Sequence, residues 1–219
     1  MIERIIFNNV NLHSFEGAPP AGAPSKVWNS VVEFKKGSSS LIEAGSGRGK
    51  SSFCAFVYGL RSDYSGSISF ETTTGELLDA RSCDMLPIRQ RSIAMMFQDL
   101  KLFPELSAVD NIMLKNRLTS YTTEQNIKDM LIRLGLEKHL SRPCALLSVG
   151  QQQRVAFVRA MCQPADFIIL DEPVSHLDEE NAKIMAQMLC ERQKKDSVGV
   201  IVTSIGYRLP YGFDSELYL

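Results

Sequence analysis

The sequence predicts an α/β protein whose core is a parallel sheet covered by helices on both faces. Two continuous apolar runs of strand length, DFIIL (166–170) and VGVIVTS (198–204), are typical of strands buried on both faces. A third run, SLIEA (40–44), leads into a glycine-rich loop and then into the helical pattern SSFCAFVYGL (51–60). The alternation continues along 219 residues, which indicates one domain over 1–219.

An antiparallel β ribbon is expected at the start of the chain. Its strands are RIIF (4–7) and VVEF (31–34), and between them EGAPPAGAPSK (16–26) predicts a flexible loop. Two further strands are predicted at GSISFE (66–71), with a turn at Thr74-Gly75 beyond it, and at RSIAMMF (91–97).

A helical subdomain is expected over approximately 100–160, and residues 107–140 read as helical. Thr122 with Gln125 fits a capping box at a helix start. Four apolar residues then fall on one face, and Gly135 ends the helix. Those four are Ile127, Met130, Leu131 and Leu134.

Composition excludes several classes of protein. The formal net charge is −1, so there is no basic field that would indicate a nucleic-acid partner, and none is expected. The 5 cysteines lack metal-ligand spacing and are interpreted as reduced, buried thiols of a cytosolic chain. We find neither a signal peptide nor an apolar run near the roughly 18 residues of a spanning helix. Any membrane association is therefore expected to come through a partner.

The stretch EAGSGRGKSS (43–52) matches a phosphate-binding loop except at one position. Gly49, Lys50 and Ser51 fill the end of the pattern Gly-x-x-x-x-Gly-Lys-Ser/Thr, but Ala44 occupies the place of the first glycine. A negative φ at Ala44 would tolerate the methyl group, whereas a positive φ would cost about 1 kcal/mol.

This loop predicts a site for the phosphates of ATP. Its backbone N–H groups would form an anion nest at the start of a helix, Lys50 would reach the β- and γ-phosphates, and the Ser51 hydroxyl would bind Mg²⁺. The nucleotide-binding candidates in the loop are Gly45, Ser46, Gly47, Arg48, Gly49, Lys50, Ser51 and Ser52.

Two carboxylates follow the apolar run FIILDE (167–172). Asp171, at the end of a strand beside the loop, is predicted to hold Mg²⁺. Glu172 is placed to orient or deprotonate an attacking water, which makes it the candidate catalytic base.

Between these two motifs the sequence resembles the ATP-binding cassette (ABC) ATPase family. LSVGQ (147–151), followed by QQRVAFVRA, is similar to the family signature LSGGQ. MMFQDLKLFPELSAVDNI (95–112) resembles the Q-loop region, with Gln98 in the motif position, and SHLD (175–178) resembles the D-loop. The motifs occur in the family's order over nearly the whole chain, which implies a P-loop NTPase core.

The resemblance implies a head-to-tail dimer with ATP at the interface. Ser148, Gly150 and Gln151 of one subunit would face the nucleotide held by the other, and Val149 departs from the first glycine of the signature. Gln98 would join the Mg²⁺ ligands Ser51 and Asp171 and act in catalysis. The second cassette could be identical or different. A multi-span membrane permease would dock on LKLFPELSAVDNI (100–112), which places the protein on the cytoplasmic face of the inner membrane.

Two positions depart from the family or lack a clear counterpart. Phe15 is the candidate for stacking on adenine, with Trp28 as the second choice in spite of a core-like setting. Family members usually carry a catalytic histidine after the last core strand, where this chain has Ser204. Serine is too short to replace that contact directly. We therefore expect ATP binding with slow basal hydrolysis.

The sequence thus predicts the ATP-hydrolysing subunit of a membrane transporter, similar to the small lipoprotein-release, macrolide-export and cell-division cassettes. Three alternatives stay open: a nucleotide-gated binding module with little turnover, a soluble ABC ATPase acting on DNA or ribosomes, and a small-molecule kinase with a P-loop. The transported substrate cannot be read from this chain, since the partner selects it.

Overall fold

The computed structural model describes residues 1–12 and 25–219. The strands are β1 (Ile2–Leu12), β2 (Val31–Lys35), β3 (Ser39–Glu43), β4 (Tyr64–Thr72), β5 (Leu77–Asp79), β6 (Ile93–Met96), β7 (Phe167–Asp171), β8 (Gly199–Ser204) and β9 (Ser215–Tyr218). The helices are α1 (Lys50–Val57), α2 (Met85–Arg91), α3 (Ala108–Thr119), α4 (Glu124–Arg133), α5 (Val149–Met161) and α6 (Glu179–Asp196).

Two sheets form the framework. The larger has five strands in the order β6-β7-β8-β3-β9, and all its neighbouring strands are parallel. The smaller is antiparallel with the order β2-β1-β4-β5 and contains the expected ribbon of β1 and β2. The predicted fold class is therefore confirmed.

The parallel sheet separates two apolar cores. Every residue of β7 and β8 is buried, because helices or the second sheet cover both faces. One core joins this sheet to α3, α4, α5 and α6, and the other joins it to α1, α2 and the antiparallel sheet. Since parallel strands end at one edge, the segments after β3, β6, β7 and β8 meet there.

The helical prediction for 107–140 is only partly correct. The segment holds two α-helices that are separated at Ser120, which has a left-handed φ of 51°. The predicted cap at Thr122 is wrong by one residue: the Thr123 hydroxyl accepts the N–H of Asn126, and Gln125 donates instead to Asp129. Gly135, with a φ of 70°, follows the end of α4 as predicted.

Four elements were not predicted from the sequence. These are β5, α2, α6 and β9, and β9 pairs with β3 at the edge of the parallel sheet. The cysteine prediction holds for Cys54, Cys144 and Cys162, which are buried, whereas Cys83 and Cys190 are partly exposed. Among the described residues, no helix is long and apolar enough to cross a membrane.

Candidate functional site

The glycine-rich loop joins the end of β3 to the start of α1 at the carboxyl edge of the parallel sheet. Gly47 and Gly49 adopt left-handed φ values of 76° and 93°, and Gly49 is the N-cap of α1. Within the described residues, the N–H groups of Ser46, Gly47 and Gly49 donate to no other backbone group. Together with the N-terminus of α1, these donors suit an anionic ligand such as a phosphate.

Trp28 contacts this loop at Arg48 and Gly49. Its indole Nε1 donates to the carbonyl of Arg48 at 3.2 Å, and a Cβ on Gly49 would lie 3.1 Å from its ring, a tight contact that adds to the strain that the left-handed φ of 93° would impose on other residues. Trp28 is 5% exposed and packs on Phe53. The second choice for adenine stacking is therefore wrong, because the ring lies in the core. Phe15, the first choice, lies outside the described residues.

Ala44 fits the loop without a left-handed backbone. It is absent from the described non-glycine residues with positive φ, its N–H donates to the carbonyl of Ser204 at 3.1 Å, and its side chain packs on a core. The φ of Ala44 is therefore not positive, and the backbone tolerates its methyl group. Alanine in place of the first glycine of the pattern leaves the loop intact.

Thr203 positions both candidate carboxylates. Its hydroxyl donates to Asp171 Oδ1 at 2.5 Å and accepts the N–H of Glu172 at 3.2 Å. Glu172 has a left-handed φ of 51°, a strained conformation that costs of order 1–3 kcal/mol and is often found at functional sites. One buried hydroxyl thus fixes the end of β7 and the start of the strained turn.

A chain of contacts connects the loop to Glu172. The Ser51 hydroxyl donates to Gln98 Oε1 at 3.0 Å, and Gln98 Nε2 lies 3.3 Å from Glu172 Oε2. Lys50 Nζ donates to the carbonyls of Ala44 and Gly45 and lies 3.6 Å from Glu172 Oε1. The predicted catalytic and metal-binding residues of this group therefore come together at one edge of the sheet.

Asp171 is a buried carboxylate in a polar setting. Burial raises its pKa, while the hydrogen bond from Thr203 and the charge of Lys50 act in the opposite direction. Ser51, Gln98 and Asp171 together offer hydroxyl, amide and carboxylate oxygens, the donor types that Mg²⁺ prefers. The three residues fit the ion, provided that substrate phosphates and water complete its shell.

The loop residues line two neighbouring cavities. The first, of about 260 Å³, is lined by Leu12, Ser46, Gly47, Gly49, Lys50, Ser51, Ser52, Gln98 and Glu172. The second, of about 340 Å³, is lined by Glu43, Ala44, Gly45, Arg48, Ser204, Ile205, Gly206, Tyr218 and Leu219. The Ser52 hydroxyl accepts a hydrogen bond from Arg61, so its side chain has a protein partner.

Ser204 uses its side chain to close a turn. Its hydroxyl donates to the carbonyl of Tyr207 at 2.9 Å and accepts the N–H of Gly206 at 3.0 Å, and the residue is 1% exposed. The hydroxyl is therefore already paired within the loop after β8. This geometry does not support Ser204 itself as a catalytic group, although it lines the cavity beside Ala44.

The signature segment forms the start of α5. Ser148 is the N-cap, and it forms a capping box with Gln151, whose Nε2 also lies 3.2 Å from His139 Nε2. Val149 is exposed and takes an ordinary helical conformation, so the backbone accepts this departure from glycine. Ser148, Gly150 and Gln151 are not among the described residues lining either cavity of the same subunit.

Gln153 connects this helix to the turn that begins at Glu172. This role was not predicted from the sequence. It is 2% exposed, its Nε2 donates to the carbonyl of Glu172 at 3.0 Å, and its Oε1 accepts the N–H of His176 at 3.2 Å. A Cβ on Gly150 would lie 2.6 Å from the His176 carbonyl, so only glycine permits this close packing. The signature segment and the residues after Glu172 therefore form one packed unit.

We expect Thr203→Val to disturb the site while conserving the shape of the side chain. Loss of the hydroxyl leaves a buried Asp171 oxygen without its donor, which should lower the free energy of unfolding by about 1–3 kcal/mol. We also expect the rate of any nucleotide hydrolysis to fall by about tenfold or more, since Glu172 loses its backbone partner. Denaturant unfolding and phosphate release measure the two effects. Thr203→Ser keeps the hydroxyl and should restore the rate, whereas an equally slow serine variant would contradict the proposed positioning.

Comparisons with known proteins agree with this geometry. A family model described as "ABC transporter" matches residues 29–175. The glutamate/aspartate import ATP-binding protein GltL of Escherichia coli (strain K12) is 34% identical over 177 residues, which cover 78% of this chain and 71% of GltL. The phosphonates import ATP-binding protein PhnC of Rhizobium meliloti (strain 1021) is 33% identical over 192 residues, covering 82% and 67%.

A solved structure supports the fold. The dimeric structure of MJ0796, a bacterial ABC transporter cassette, matches with a TM-score of 0.75 at 24% identity and covers 91% of this chain and 87% of that chain. A dimeric post-hydrolysis structure of the same cassette with bound ADP and Pi matches with a TM-score of 0.70.

Proposed function

The chain belongs to the ABC transporter family, and we propose that it is the ATP-binding and ATP-hydrolysing subunit of a membrane transporter. The observation that carries this proposal is the contact chain from Ser51 through Gln98 to Glu172, beside Lys50. It joins a phosphate-binding loop to a carboxylate that can accept a proton from water. A simple nucleotide-storage site needs no such base.

Each residue of the site has a separate task in this proposal. The loop N–H groups and Lys50 bind the phosphates of ATP, while Ser51, Gln98 and Asp171 hold Mg²⁺, which would supply charge neutralisation at the phosphates. Glu172 orients the attacking water and accepts its proton. Because the Ser204 hydroxyl is paired within its own turn, we propose that basal hydrolysis by the isolated subunit is slow.

We propose that two cassettes assemble head to tail, with Ser148 and Gly150 facing the nucleotide of the partner subunit. Ser148 and Val149 are exposed at the start of α5, as such an interface requires. The similarity to a dimeric cassette supports this arrangement for the fold in general. The partner is either a second copy or a different cassette. Sizing chromatography with Mg-ATP should detect the dimer in a variant that binds ATP without hydrolysing it.

A membrane permease is the second proposed partner. A cavity of about 260 Å³, here called the docking groove, lies beside the segment after β6. Phe103, Leu114 and Leu118 contribute apolar surface to it and are 53%, 40% and 63% exposed. Exposed apolar side chains that line a groove are typical of a protein-binding surface. Docking there would place this chain on the cytoplasmic face of the membrane.

Two finer assignments remain proposals. We propose a single ABC ATPase domain over 1–219 with a helical subdomain at approximately 100–160, to which α3, α4 and α5 contribute. The similarity to small lipoprotein-release, macrolide-export and cell-division cassettes is a hypothesis as well. The relatives named above are import proteins, so they do not favour that narrower group.

Two measurements on the purified chain test the proposed function. Calorimetric titration should detect Mg-ATP binding, and phosphate release should detect slow turnover that requires Mg²⁺. Absence of nucleotide binding by folded protein would refute the proposal. Binding without turnover would favour the nucleotide-gated module, and phosphoryl transfer to an added small-molecule acceptor would favour the kinase.

A further inference from the structure

His176 is the exposed histidine of the described part of the chain, and it lies four residues after the candidate base Glu172. The other described histidine, His139, is half-buried and contacts Gln151. Among the described residues, the His176 ring is hydrogen-bonded to Ser175 alone, whose Oγ lies 2.9 Å from Nδ1. The Nε2 atom of His176 therefore has no partner within the described part of the chain.

The contacts of Ser175 indicate which nitrogen of His176 is a donor. The Ser175 hydroxyl has a single proton and two acceptors within reach, His176 Nδ1 at 2.9 Å and the carbonyl of Glu172 at 3.3 Å. That carbonyl already accepts from Gln153 Nε2 at 3.0 Å, so the shorter contact with Nδ1 is favoured. A neutral imidazole that accepts at Nδ1 carries its proton on Nε2, and an imidazolium carries one there as well. Nε2 is therefore a hydrogen-bond donor in both charge states.

His176 lies on the same packed unit as the signature segment. A Cβ on Gly150 would lie 2.6 Å from the His176 carbonyl oxygen, and the His176 N–H donates to Gln153 Oε1 at 3.2 Å. Ser148, Gly150 and His176 are not among the described residues that line the two cavities beside the glycine-rich loop of their own subunit. A partner subunit that places its nucleotide against Ser148 and Gly150 therefore also places it close to His176.

The end of β8 offers no free side-chain donor to a nucleotide held by the same subunit. The Ser204 hydroxyl donates to the carbonyl of Tyr207, and the Thr203 hydroxyl donates to Asp171. Phosphoryl transfer develops negative charge around the γ-phosphate, and a preorganised donor aimed at that charge accelerates the reaction. A donor from a second subunit would supply what Ser204 does not.

We propose that His176 of one subunit is a catalytic residue that donates a hydrogen bond from Nε2 to the γ-phosphate held by a second copy of this chain. This inference rests on the proposed function, which supplies ATP and the head-to-tail pair. The oxygen of the attacking water bonds to the γ-phosphorus as the bond to the β,γ-bridging oxygen breaks. The electron pair of that bond leaves with ADP, and Glu172 accepts the water proton. His176 keeps its own proton and stabilises the developing charge.

Substitutions at His176 give the first test. His176→Ala should lower ATP turnover at saturating Mg-ATP by about 10²-fold, the typical effect of removing one preorganised donor. His176→Asn can still pair with Ser175 through its side-chain amide but has no group at the position of Nε2, so it should be equally slow. The control is Glu180→Gln, at an exposed position in the first turn of α6, which should keep the wild-type rate. If the alanine or the asparagine variant keeps that rate, the histidine at most supports Ser175 and the proposal is overturned.

Mixed dimers give the second test, because they show whether the histidine acts across the interface. Glu172→Gln and His176→Ala chains are mixed before Mg-ATP is added. In a mixed dimer, the intact Glu172 of one chain meets the intact His176 of the other, so one site is complete. About a quarter of all sites are then complete, and phosphate release should exceed that of either variant alone by about tenfold or more.

A mixture of Lys50→Ala and Glu172→Gln chains is the matched control. Both of these residues belong to the same half of the site, so no mixed dimer contains a complete site and this mixture should stay as slow as its components. Absence of a gain in the first mixture would show that His176 does not act across the interface. Equal gains in the two mixtures would show that the gain does not come from the histidine. Either result would overturn the proposal.

Mg-ATP binding and turnover by the wild type, measured on the same preparations, test the proposed function separately. A wild type that neither binds nor hydrolyses ATP would refute both proposals. A wild type that hydrolyses ATP and loses no activity on substitution of His176 would refute the histidine contact alone. Circular dichroism and thermal unfolding establish that each variant is folded before its rate is compared.

Discussion

Replacing Glu172 with glutamine is expected to lower the rate of ATP hydrolysis by about 10²-fold or more, while Mg-ATP still binds. Glutamine conserves the shape of the side chain, and its amide oxygen can still accept from Gln98 Nε2, which lies 3.3 Å from the carboxylate. It cannot accept a proton from water. The proposed phosphate contacts come from the loop and Lys50, so affinity should change little.

Phosphate release at saturating Mg-ATP measures the rate, and calorimetry measures the affinity. Glu180, an exposed carboxylate in the first turn of α6, provides the control, since Glu180→Gln should hydrolyse ATP at the wild-type rate. If Glu172→Gln retains that rate, another group is the base. The same variant should also accumulate as an ATP-bridged dimer on sizing chromatography.

The parallel sheet could be predicted because its strands carry their own signal. FIIL (167–170) and VGVIV (198–202) contain no polar side chain, as expected for strands that are buried on both faces. The edge strand β9 and the short strand β5 were missed because SELY and LLD are too short and too exposed for a pattern. The position of β9 also depends on its pairing with β3, which lies near the other end of the sequence, so no local pattern marks it.

The break between α3 and α4 shows a different limit. Thr122 and Thr123 are adjacent and both can cap a helix, so sequence alone could not select between them. In the structure, Asn116 binds the backbone of Thr122 through both its side-chain amide and its carbonyl oxygen. This short-range contact holds Thr122 outside the helix, which leaves Thr123 as the N-cap.

The site was predictable where its residues form contiguous motifs. Lys50, Ser51 and Glu172 follow strands and Asp171 ends one, and the carboxyl ends of parallel strands meet at one edge. Thr203 was not identified, because threonine in an apolar strand is a common β-sheet residue and its two bonds depend on the pairing of β7 with β8.

Gln153 illustrates a residue whose contacts only the structure reveals. Gln153 can be read in the sequence within the signature segment. Its contact with the turn after Glu172 cannot, because that contact arises from helix packing.

Replacing Lys50 with alanine is expected to weaken Mg-ATP binding by about 10²-fold or more. Lys50 would contribute charge-assisted hydrogen bonds to the phosphates, and two bonds of about 1.5–3 kcal/mol each correspond to a loss of 10²–10⁴ in affinity. The lysine is 6% exposed and also bonds to the carbonyls of Ala44 and Gly45, so circular dichroism and thermal unfolding must establish that the variant is folded.

Ala44→Gly provides the matched control for this measurement, because it changes the same loop without removing a charge. Ala44 has no left-handed backbone strain to release and its N–H already pairs with Ser204, so glycine should alter the affinity by well under tenfold. Calorimetry on both variants compares the two effects directly. A folded Lys50→Ala protein that binds Mg-ATP as tightly as Ala44→Gly would show that the loop N–H groups alone hold the phosphates, and the proposed task of Lys50 would then be wrong.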